Sequence, residues 1–476
     1  MTVWSGAVQA RLAGDGRLLF DGGGWLSAGD LGRRAERLAQ VLRRSDKALV
    51  FAFMANRTAS VVGYLASVLA DHAVALLDAG LPADRAAALI AAYAPDFILT
   101  EAGPVTDAIP APWQVLAVDE PGLVLFARPG GGGAIHPDLA VLLSTSGSTG
   151  SPKFVRLSGA AIRHNAAAIA DRLAIGAGEV ALAHLPLHYS YGMSVLNSHL
   201  LAGAAVAVTG EPIVGDAFWQ VARAAGATSL AGVPYHYDAL RRLDLDRLDV
   251  PTLVTLTQAG GRAPDRLIEW LHGLMARRGG RCFVMYGQTE ASPRMTTLPA
   301  EALPAKLGSV GPALPGGRIE IVDPVDQSPL PSGTVGEVVY HGPNVMMGYA
   351  TSRADLARGD ECGQRLRTGD RGSLDADGCL FLAGRAGRIG KVMGTRVDLD
   401  QVETLLDGFG RVAAVEVDER LMVTLTGAST ETMAAAKQAL LARVAVPAAA
   451  VRIRTLDSLP LTASGKIDYP ALKALS

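Results

Sequence analysis

Short apolar runs alternate with amphipathic segments through the first half of the sequence, and this alternation restricts the possible folds more than any other feature. Residues 47–54 (KALVFAFM) have the composition of a buried strand, and residues 58–69 have the pattern of a helix. The scheme repeats with a strand at 72–77, a helix at 84–93 and a strand at 96–100. Strands that alternate with helices of this length are typical of parallel crossover units. We therefore predict an α/β fold with parallel sheets.

The alternation resumes after a glycine-rich stretch, PGGGGA at 129–134, which has the composition of a surface connector. Further strands are predicted at 180–185, 204–209, 228–233, 253–257 and 281–285. Helical segments separate these strands, so we expect a second set of crossover units.

The pattern changes after about residue 308. Short β-like runs bounded by glycine and proline, at 316–323 and 333–342, predict a small antiparallel, barrel-like unit. Closer to the C-terminus, helix and strand patterns predict a compact α+β unit with elements at 398–406, 412–417, 421–426 and 430–444. We predict a large N-terminal domain over 1–386, made of α/β subdomains and the barrel-like unit, and a small mobile C-terminal domain over 387–476.

Composition excludes several classes of protein. The 476-residue chain is 49% apolar and 19% charged with a formal net charge of −2, so it has no basic excess for binding nucleic acid. Cys282, Cys362 and Cys379 form no CxxC pair, which favours a reduced, cytoplasmic protein over a disulfide framework. We find neither eighteen consecutive apolar residues nor a basic leader before an apolar run, so we expect no membrane span and no signal peptide.

A loop rich in glycine and hydroxyl groups, TSGSTGSPK, follows the predicted strand at 139–143. Its glycines let the backbone approach an anion closely, and successive N–H groups can form an anion-binding concavity. The loop does not match a P-loop, because Ser151 and Pro152 separate Lys153 from Gly150. A flexible polar turn is the alternative interpretation. The candidate anion-binding residues are Thr145, Ser146, Gly147, Ser148, Thr149, Gly150 and Lys153.

With its preceding serine, this loop resembles the signature loop of the adenylate-forming superfamily, which includes acyl-CoA synthetases, adenylation domains and luciferases. Other segments resemble further motifs of that superfamily in the same order. They are AGGRAP at 259–264, YGQTE at 286–290, LRTGD at 366–370, the pair Gly384 and Arg385, and PLTASGK at 460–466. The resemblance covers the whole chain and implies a role for each motif.

In the YGQTE turn, the resemblance implies that Tyr286 packs against adenine, Thr289 contacts the α-phosphate and Glu290 holds Mg²⁺. A carboxylate suits this role because Mg²⁺ prefers hard oxygen ligands. Gly287 and Gln288 complete the turn as nucleotide-binding candidates.

Three charged residues complete the expected nucleotide site. The resemblance implies that Asp370 accepts both ribose hydroxyls and that Arg385 lies near the ribose and phosphates. Lys466 would neutralise charge as the α-phosphate and the attacking carboxylate meet. Taken singly, these would be a turn aspartate and two solvated cations. The chain departs from the superfamily at Gly387, where a hinge Asp or Lys is usual, and at Asp398, where Glu is usual.

The resemblance also implies an acyl pocket. The loop at 259–264 would lie beneath the adenine and the acyl group, and it supplies Gly260, Gly261 and Arg262. The other pocket candidates are His188, Tyr189, Tyr191 and Tyr235, and His188 is also a catalytic candidate.

Two observations on residues 184–193 restrict the metal ions and acids that we expect this pocket to bind. His184 and His188 are four residues apart, but Pro186 between them argues against a helix and so against a metal-binding pair. Residues 186–193 contain no carboxylate to pair with a substrate ammonium, which favours an acid without an α-amino group. The aromatic and apolar neighbours fit an aryl or medium aliphatic acid.

The sequence therefore predicts ATP- and Mg²⁺-dependent activation of a carboxylic acid to an acyl-adenylate with release of pyrophosphate. Transfer to a thiol would follow, either to coenzyme A or to the phosphopantetheine of an acyl or peptidyl carrier protein in secondary metabolism. An adenylating ligase with an amine nucleophile, forming an amide or N–N bond, is the first alternative. A non-catalytic nucleotide-binding relative and an ADP-forming kinase are the others.

Overall fold

The computed structural model describes residues 2–101, 103, 105–130, 132–144, 153–242, 249–385, 388–393, 395–444, 446–462 and 465–475. Its helices are α1 (Val3–Leu12), α2 (Ala28–Leu42), α3 (Thr58–Leu69), α4 (Ala83–Tyr93), α5 (Gly159–Leu173), α6 (Ser190–Ala202), α7 (Asp216–Ala225), α8 (Pro234–Arg242), α9 (Asp265–Arg277), α10 (Leu399–Leu406), α11 (Thr430–Leu441) and α12 (Tyr469–Ala474).

The strands through the two large sheets are β1 (Arg17–Phe20), β2 (Trp25–Ser27), β3 (Leu49–Met54), β4 (Ala73–Asp78), β5 (Phe97–Thr100), β6 (Gln114–Leu116), β7 (Val124–Ala127), β8 (Leu139–Ser144), β9 (Phe154–Ser158), β10 (Val180–Ala183), β11 (Ala205–Val208), β12 (Ser229–Gly232), β13 (Thr255–Gln258), β14 (Arg281–Gly287) and β15 (Arg294–Leu298). The later strands are β16 (Ser309–Gly311), β17 (Arg318–Val322), β18 (Gly336–His341), β19 (Gly348–Ala350), β20 (Arg365–Leu374), β21 (Leu380–Arg385), β22 (Ile389–Val392), β23 (Thr395–Asp398), β24 (Val412–Val417), β25 (Arg420–Thr426) and β26 (Val451–Leu456).

Two eight-stranded sheets form the larger part of the protein, and both contain the predicted parallel crossovers. In one sheet the order is β19-β9-β8-β4-β3-β5-β7-β6, with β3 parallel to β4 and β5. In the other the order is β15-β14-β13-β12-β10-β11-β1-β2, with β10 to β14 joined in parallel. The predicted α/β class is confirmed. Carboxyl ends of parallel strands meet at one edge of a sheet, where ligands bind in open α/β folds.

A shared apolar core lies between the two sheets. Helices α1, α2, α3, α5 and α6 fill this layer and bury side chains such as Trp4, Leu38, Val62, Ile162 and Leu196 against strands of both sheets. Helices α7 and α9 cover the outer face of the second sheet, and α4 covers part of the outer face of the first. The long apolar strands are thus buried on both faces, as expected for parallel sheets.

The predicted antiparallel unit is a five-stranded sheet in the order β16-β21-β20-β18-β17. Each adjacent pair is antiparallel, and inward residues such as Val338 and Leu380 join the central core. Its long strand β20 carries Asp370 to the edge of the second large sheet.

The C-terminal elements form a hairpin, β22–β23, and a three-stranded sheet in the order β24-β25-β26. Helices α10 and α11 pack on this sheet around Val402, Leu425 and Leu440. Their apolar clusters consist of residues from Val392 onward, separate from the clusters of the large sheets. Within the described ranges, the structure contains no helix with both the length and the apolar character needed to cross a bilayer.

Candidate active site

Two predicted nucleotide motifs meet at a single carboxylate. The Tyr286 hydroxyl donates to Oδ2 of Asp370, and Gln288 Nε2 donates to the same oxygen at 2.7 Å. Gln288 also donates to the Thr368 carbonyl at 2.8 Å, which ties the YGQTE turn to strand β20. Asp370 is only 7% exposed, so these hydrogen bonds fix its orientation.

A glycine lets the YGQTE turn approach the backbone of Pro293, just before strand β15. A Cβ on Gly287 would overlap the carbonyl oxygen of Pro293, so only glycine fits between β14 and β15. Arg385 is the Cα partner of Asp370 across the β20–β21 ladder, which places these two predicted residues side by side along the backbone.

Glu290 and Lys153 lie against opposite parts of one tyrosine. The Tyr349 hydroxyl donates to Glu290 Oε1 at 2.9 Å, and the Lys153 ammonium lies 3.3 Å from the centre of the Tyr349 ring. A cation over an aromatic face is attracted to the ring quadrupole. The predicted metal ligand and the predicted loop lysine are therefore neighbours. The loop residues Thr145, Ser146, Gly147, Ser148, Thr149 and Gly150 lie outside the described residues.

Tyr349 was missed by sequence reasoning. It lies on β19, which pairs with β9 across almost two hundred residues, with Tyr349 opposite Val155. The sequence around Tyr349 resembles none of the nucleotide-binding motifs. Only the long-range pairing of β19 with β9 reveals that Tyr349 lies at this site.

Tyr189 lies beside Gly260, one of the predicted pocket glycines. The Ser190 hydroxyl is 3.2 Å from the Thr289 hydroxyl, which joins the start of α6 to the YGQTE turn. Gly260 has φ +79°, and a Cβ there would lie 2.5 Å from the Tyr189 hydroxyl oxygen. Glycine is thus required both for this backbone conformation and for the close approach of the tyrosine. Gly261 packs beside Pro234.

Lys466 reaches this pocket from the C-terminal elements. Its ammonium is 5.4 Å from the centre of the Tyr189 ring. The turn that carries it is closed by backbone hydrogen bonds, including Thr462 N–H to the Lys466 carbonyl at 2.8 Å. A Cβ on the adjacent Gly465 would meet Val233 at 3.0 Å, so the turn is packed closely against the pocket wall. Lys466, the last of the predicted site residues along the sequence, therefore lies next to the acyl-pocket candidate Tyr189.

His188 lies in the loop before α6, at the carboxyl ends of β3 and β4. Its Nδ1 is buried and has no hydrogen-bond partner among the described residues. Burial lowers the pKa of His188, while the nearby Asp78 carboxylate and a hydrogen bond to the Met54 backbone oppose that shift. Helix α6 starts only at Ser190, so His184 and His188 do not share a helical turn.

The other histidines near the pocket are partly shielded from solvent and uncharged. His184 donates Nε2–H to the Ala231 carbonyl at 2.7 Å and lies 4.8 Å from the ring of His236. Burial lowers the pKa of His184 to about 4 and that of His236 to about 3. The part of the chain that the structure describes has no group of three or more metal-ligating side chains.

Tyr191 is buried next to Tyr189. Its hydroxyl donates to the Thr257 carbonyl at 2.9 Å, and burial raises the pKa of this phenol. The guanidinium of Arg294 lies over its ring at 4.7 Å. Sequence reasoning did not identify Arg294, although an arginine opening the apolar strand RMTTL just after the YGQTE turn is a signal that was available.

Two predicted residues face the C-terminal elements instead of Tyr189. Tyr235 is 37% exposed, and the Arg411 guanidinium lies 5.4 Å from its ring. Arg262 is exposed and donates to the Thr404 hydroxyl on α10 at 2.6 Å. These contacts join the loop beneath the pocket to the C-terminal sheet and helices.

The chain is similar to several known proteins. A family model described as AMP-binding enzyme matches residues 7–350. Novobiocin biosynthesis protein H of Streptomyces niveus is 28% identical over 99% of this chain and 81% of that protein. The 4-coumarate–CoA ligase 2 of Oryza sativa subsp. japonica is 30% identical over 72% of this chain and 63% of its own length. A structure of o-succinylbenzoate CoA synthetase from Bacillus subtilis with its acyl-adenylate intermediate has a TM-score of 0.78 at 22% identity, covering 99% of this chain and 98% of that one.

The likeness to the solved structure establishes the fold, and the family model covers well over half of the residues. The order of the motifs and their convergence around Asp370 and Tyr189 agree with that match. The chain is a member of the AMP-binding enzyme family within the adenylate-forming superfamily.

Proposed function

We propose that the protein is an AMP-forming acid–thiol ligase. In the first step a carboxylate oxygen attacks the α-phosphorus of ATP, the bond to the bridging oxygen breaks, and pyrophosphate leaves. In the second step a thiolate attacks the acyl carbon of the acyl-adenylate and AMP leaves. The observation that supports this most is the approach of Lys466 to Tyr189, because it brings a cation from the C-terminal elements to the pocket that Thr289 borders.

The residues at this site fit the charge changes of the first step. Two anions must meet, so cationic and hydrogen-bonding groups are needed where charge accumulates. Lys466 would approach the reacting carboxylate and α-phosphate, and Thr289 would donate to the α-phosphate. Lys153 would lie with the loop at the other phosphates. His188, uncharged and with an unpaired buried Nδ1, would orient the groups at the pocket entrance.

The nucleotide would be held by Asp370 together with Tyr286 and Gln288, the three residues that we call the Asp370 group. Asp370 would accept the ribose hydroxyls, with Tyr286 and Gln288 holding its carboxylate in place. Glu290 fits a Mg²⁺ ligand, since it offers a carboxylate close to Lys153 and the phosphate loop. Mg²⁺ held there would neutralise negative charge on the phosphates.

We also propose that 1–386 and 387–476 are separate domains and that the smaller one rotates between the two steps. The separate apolar clusters from Val392 onward support this division. Gly387 would absorb the rotation because glycine tolerates large backbone changes. The face of the small domain that carries Gly394 would approach the site for the second step. Gly387 and Gly394 both lie outside the described residues.

The acceptor would be coenzyme A or the phosphopantetheine of a carrier protein, and the substrate a small carboxylic acid. The similarity to a CoA ligase supports the first acceptor. An amine acceptor is the second candidate, as expected from the sequence. A cytoplasmic location stays a prediction from the sequence.

Pyrophosphate exchange into ATP tests the first step. Exchange should depend on Mg²⁺ and on an added carboxylic acid drawn from a panel of aryl, alkyl and dicarboxylic acids. Coenzyme A, a phosphopantetheinylated carrier protein and an amine are then added separately, and AMP release is measured. Faster AMP release with a thiol supports the ligase, and release with the amine alone identifies the second candidate. ADP formation, or no acid-dependent exchange by the folded protein, contradicts the proposal.

A further inference from the structure

Arg294 is a buried cation without a counter-charge. It is 2% exposed, and its guanidinium contacts the Ser194 hydroxyl at 3.3 Å, the Met285 sulfur and the Tyr191 ring. None of these partners is an anion, and no carboxylate of the described residues pairs with it. An arginine stays protonated in proteins, so the positive charge persists even though burial lowers its pKa.

Two other shielded arginines of this protein are neutralised. Arg156 is fully buried and forms a salt bridge with Glu361. Arg388, largely shielded from solvent, pairs with Glu403 at 2.8 Å and with Asp400. Burying an unpaired charge costs several kcal/mol, which is why such charges are normally paired. Arg294 is the exception among these three, and its missing partner calls for an explanation.

A small cavity adjoins the guanidinium. Its volume is about 20 Å³, which is enough for one water molecule or one oxygen atom of a ligand. Apolar side chains such as Leu173 and Val195 form much of its wall, and several hydroxyl groups lie among them beside the cation. Its polar lining includes Arg294, Tyr191, Ser194, Ser198, Ser229 and Thr255. Glu179 borders the cavity too, but it pairs with Arg281 at 3.6 Å and is not a partner of Arg294.

The cavity shares one residue, Tyr191, with the proposed acyl pocket. Tyr191 lines the cavity, and its ring centre is 6.2 Å from that of Tyr189 in an edge-to-face arrangement. The Lys466 ammonium lies 5.4 Å from the centre of the Tyr189 ring. Each of these two neighbouring tyrosines therefore has a cation near its ring, Lys466 at Tyr189 and Arg294 at Tyr191. An acid with its reactive carboxylate near Lys466 would point its far end at Arg294.

We infer that the substrate is a dicarboxylic acid whose second carboxylate binds Arg294. This rests on the proposed function and names the class of acid. A second carboxylate neutralises the buried guanidinium and accepts the hydrogen bonds that Arg294 and the neighbouring hydroxyls can donate. An ammonium at this end is repelled, and a purely apolar tail leaves the cation unpaired. Arg294 is thereby the residue that sets specificity, and the body of the acid stays aryl or aliphatic as expected from the sequence.

The test compares pairs of acids of matched length, such as adipate with hexanoate and isophthalate with benzoate, in pyrophosphate exchange. The wild-type protein should prefer the dicarboxylic member of at least one pair. Arg294→Met should lower kcat/KM for that dicarboxylic acid by roughly 100-fold, since it removes one partner of a buried charge pair. The same variant should leave or raise kcat/KM for the monocarboxylic member. Arg163→Met, an exposed arginine on α5, is the matched control and should change neither value.

The outcomes separate this inference from the proposed function. A wild-type preference for the monocarboxylic member of every pair overturns the inference and leaves the ligase proposal standing. An equal loss for both acids in folded Arg294→Met shows that Arg294 is structural and also overturns it. Should that variant not fold, the wild-type preference decides, together with the rise in melting temperature on adding the dicarboxylic acid alone. Absence of exchange with every acid contradicts the proposed function itself.

Discussion

Lys466→Ala removes a cation from the pocket without disturbing the turn that carries it. The turn is closed by backbone groups and by the Thr462 hydroxyl, which accepts from the Lys466 N–H at 3.2 Å. The Lys466 side chain is exposed and makes its ring contact with Tyr189 at 5.4 Å. An exposed contact of this type is worth about 0.5–1 kcal/mol. We therefore expect loss of this ring contact to lower the free energy of unfolding by about 0.5–1 kcal/mol.

The effect on catalysis should be much larger. If Lys466 offsets charge that develops only in the transition state, its loss should lower kcat for adenylate formation by about 10²- to 10³-fold, or roughly 2.7–4 kcal/mol. The dissociation constant for ATP should change little, because the Asp370 group holds the ribose.

Single-turnover adenylate formation and equilibrium ATP binding measure these two quantities separately. Lys473→Ala, on α12 and exposed, is the matched control and should leave both unchanged. A Lys466→Ala protein with near-normal adenylate formation would refute the assigned role. So would a loss of activity that is fully explained by weaker ATP binding.

Two further predictions concern nucleotide binding and pH. Asp370→Asn should weaken ATP binding about 10- to 100-fold by calorimetry, since it weakens hydrogen bonds to a charged acceptor; unchanged affinity in a folded variant contradicts the ribose role. Burial lowers the pKa of His199 to about 4, so near pH 5 the unfolded state binds a proton that the folded state excludes. Stability should fall from pH 7 to pH 5 by about 2 kcal/mol from His199, and His199→Gln should reduce that loss in urea titrations; identical pH profiles contradict the argument.

Much of the fold follows from local pattern. Strand β3 was predicted because its six residues, Leu49–Met54, are all apolar and buried on both faces. Helix α3 spans Thr58–Leu69, as predicted from its apolar pattern. The sequence also carried unused signals. Ser27 caps α2 by accepting from the Asp30 N–H, and Val451 to Leu456 alternates apolar residues with arginine and threonine as an edge strand does.

The N-terminal elements were harder to predict. Helix α1 buries Trp4, Val8 and Leu12 at every fourth position, but small and polar residues between them blur the apolar stripe. Strand β1 pairs in parallel with β11, far along the chain, so its partner cannot be recognised locally.

The site residues could be predicted from motifs that resemble those of a known superfamily, but not from composition and residue spacing alone. Tyr286 and Asp370 were assigned by resemblance, and the structure brings them into contact across 84 residues. Tyr349 and Arg294 were not identified, because their importance depends on what packs around them after folding. Burial of a charge is a tertiary property that residue spacing does not encode.

The central claim is that an oxygen of the organic acid attacks the α-phosphorus of ATP. Supplying an acid with both carboxylate oxygens labelled with ¹⁸O, together with ATP, Mg²⁺ and the accepting thiol, tests it directly by mass spectrometry of the nucleotide product. The account predicts AMP that carries one ¹⁸O atom in its phosphate. Unlabelled AMP, or ADP as the nucleotide product, would contradict it.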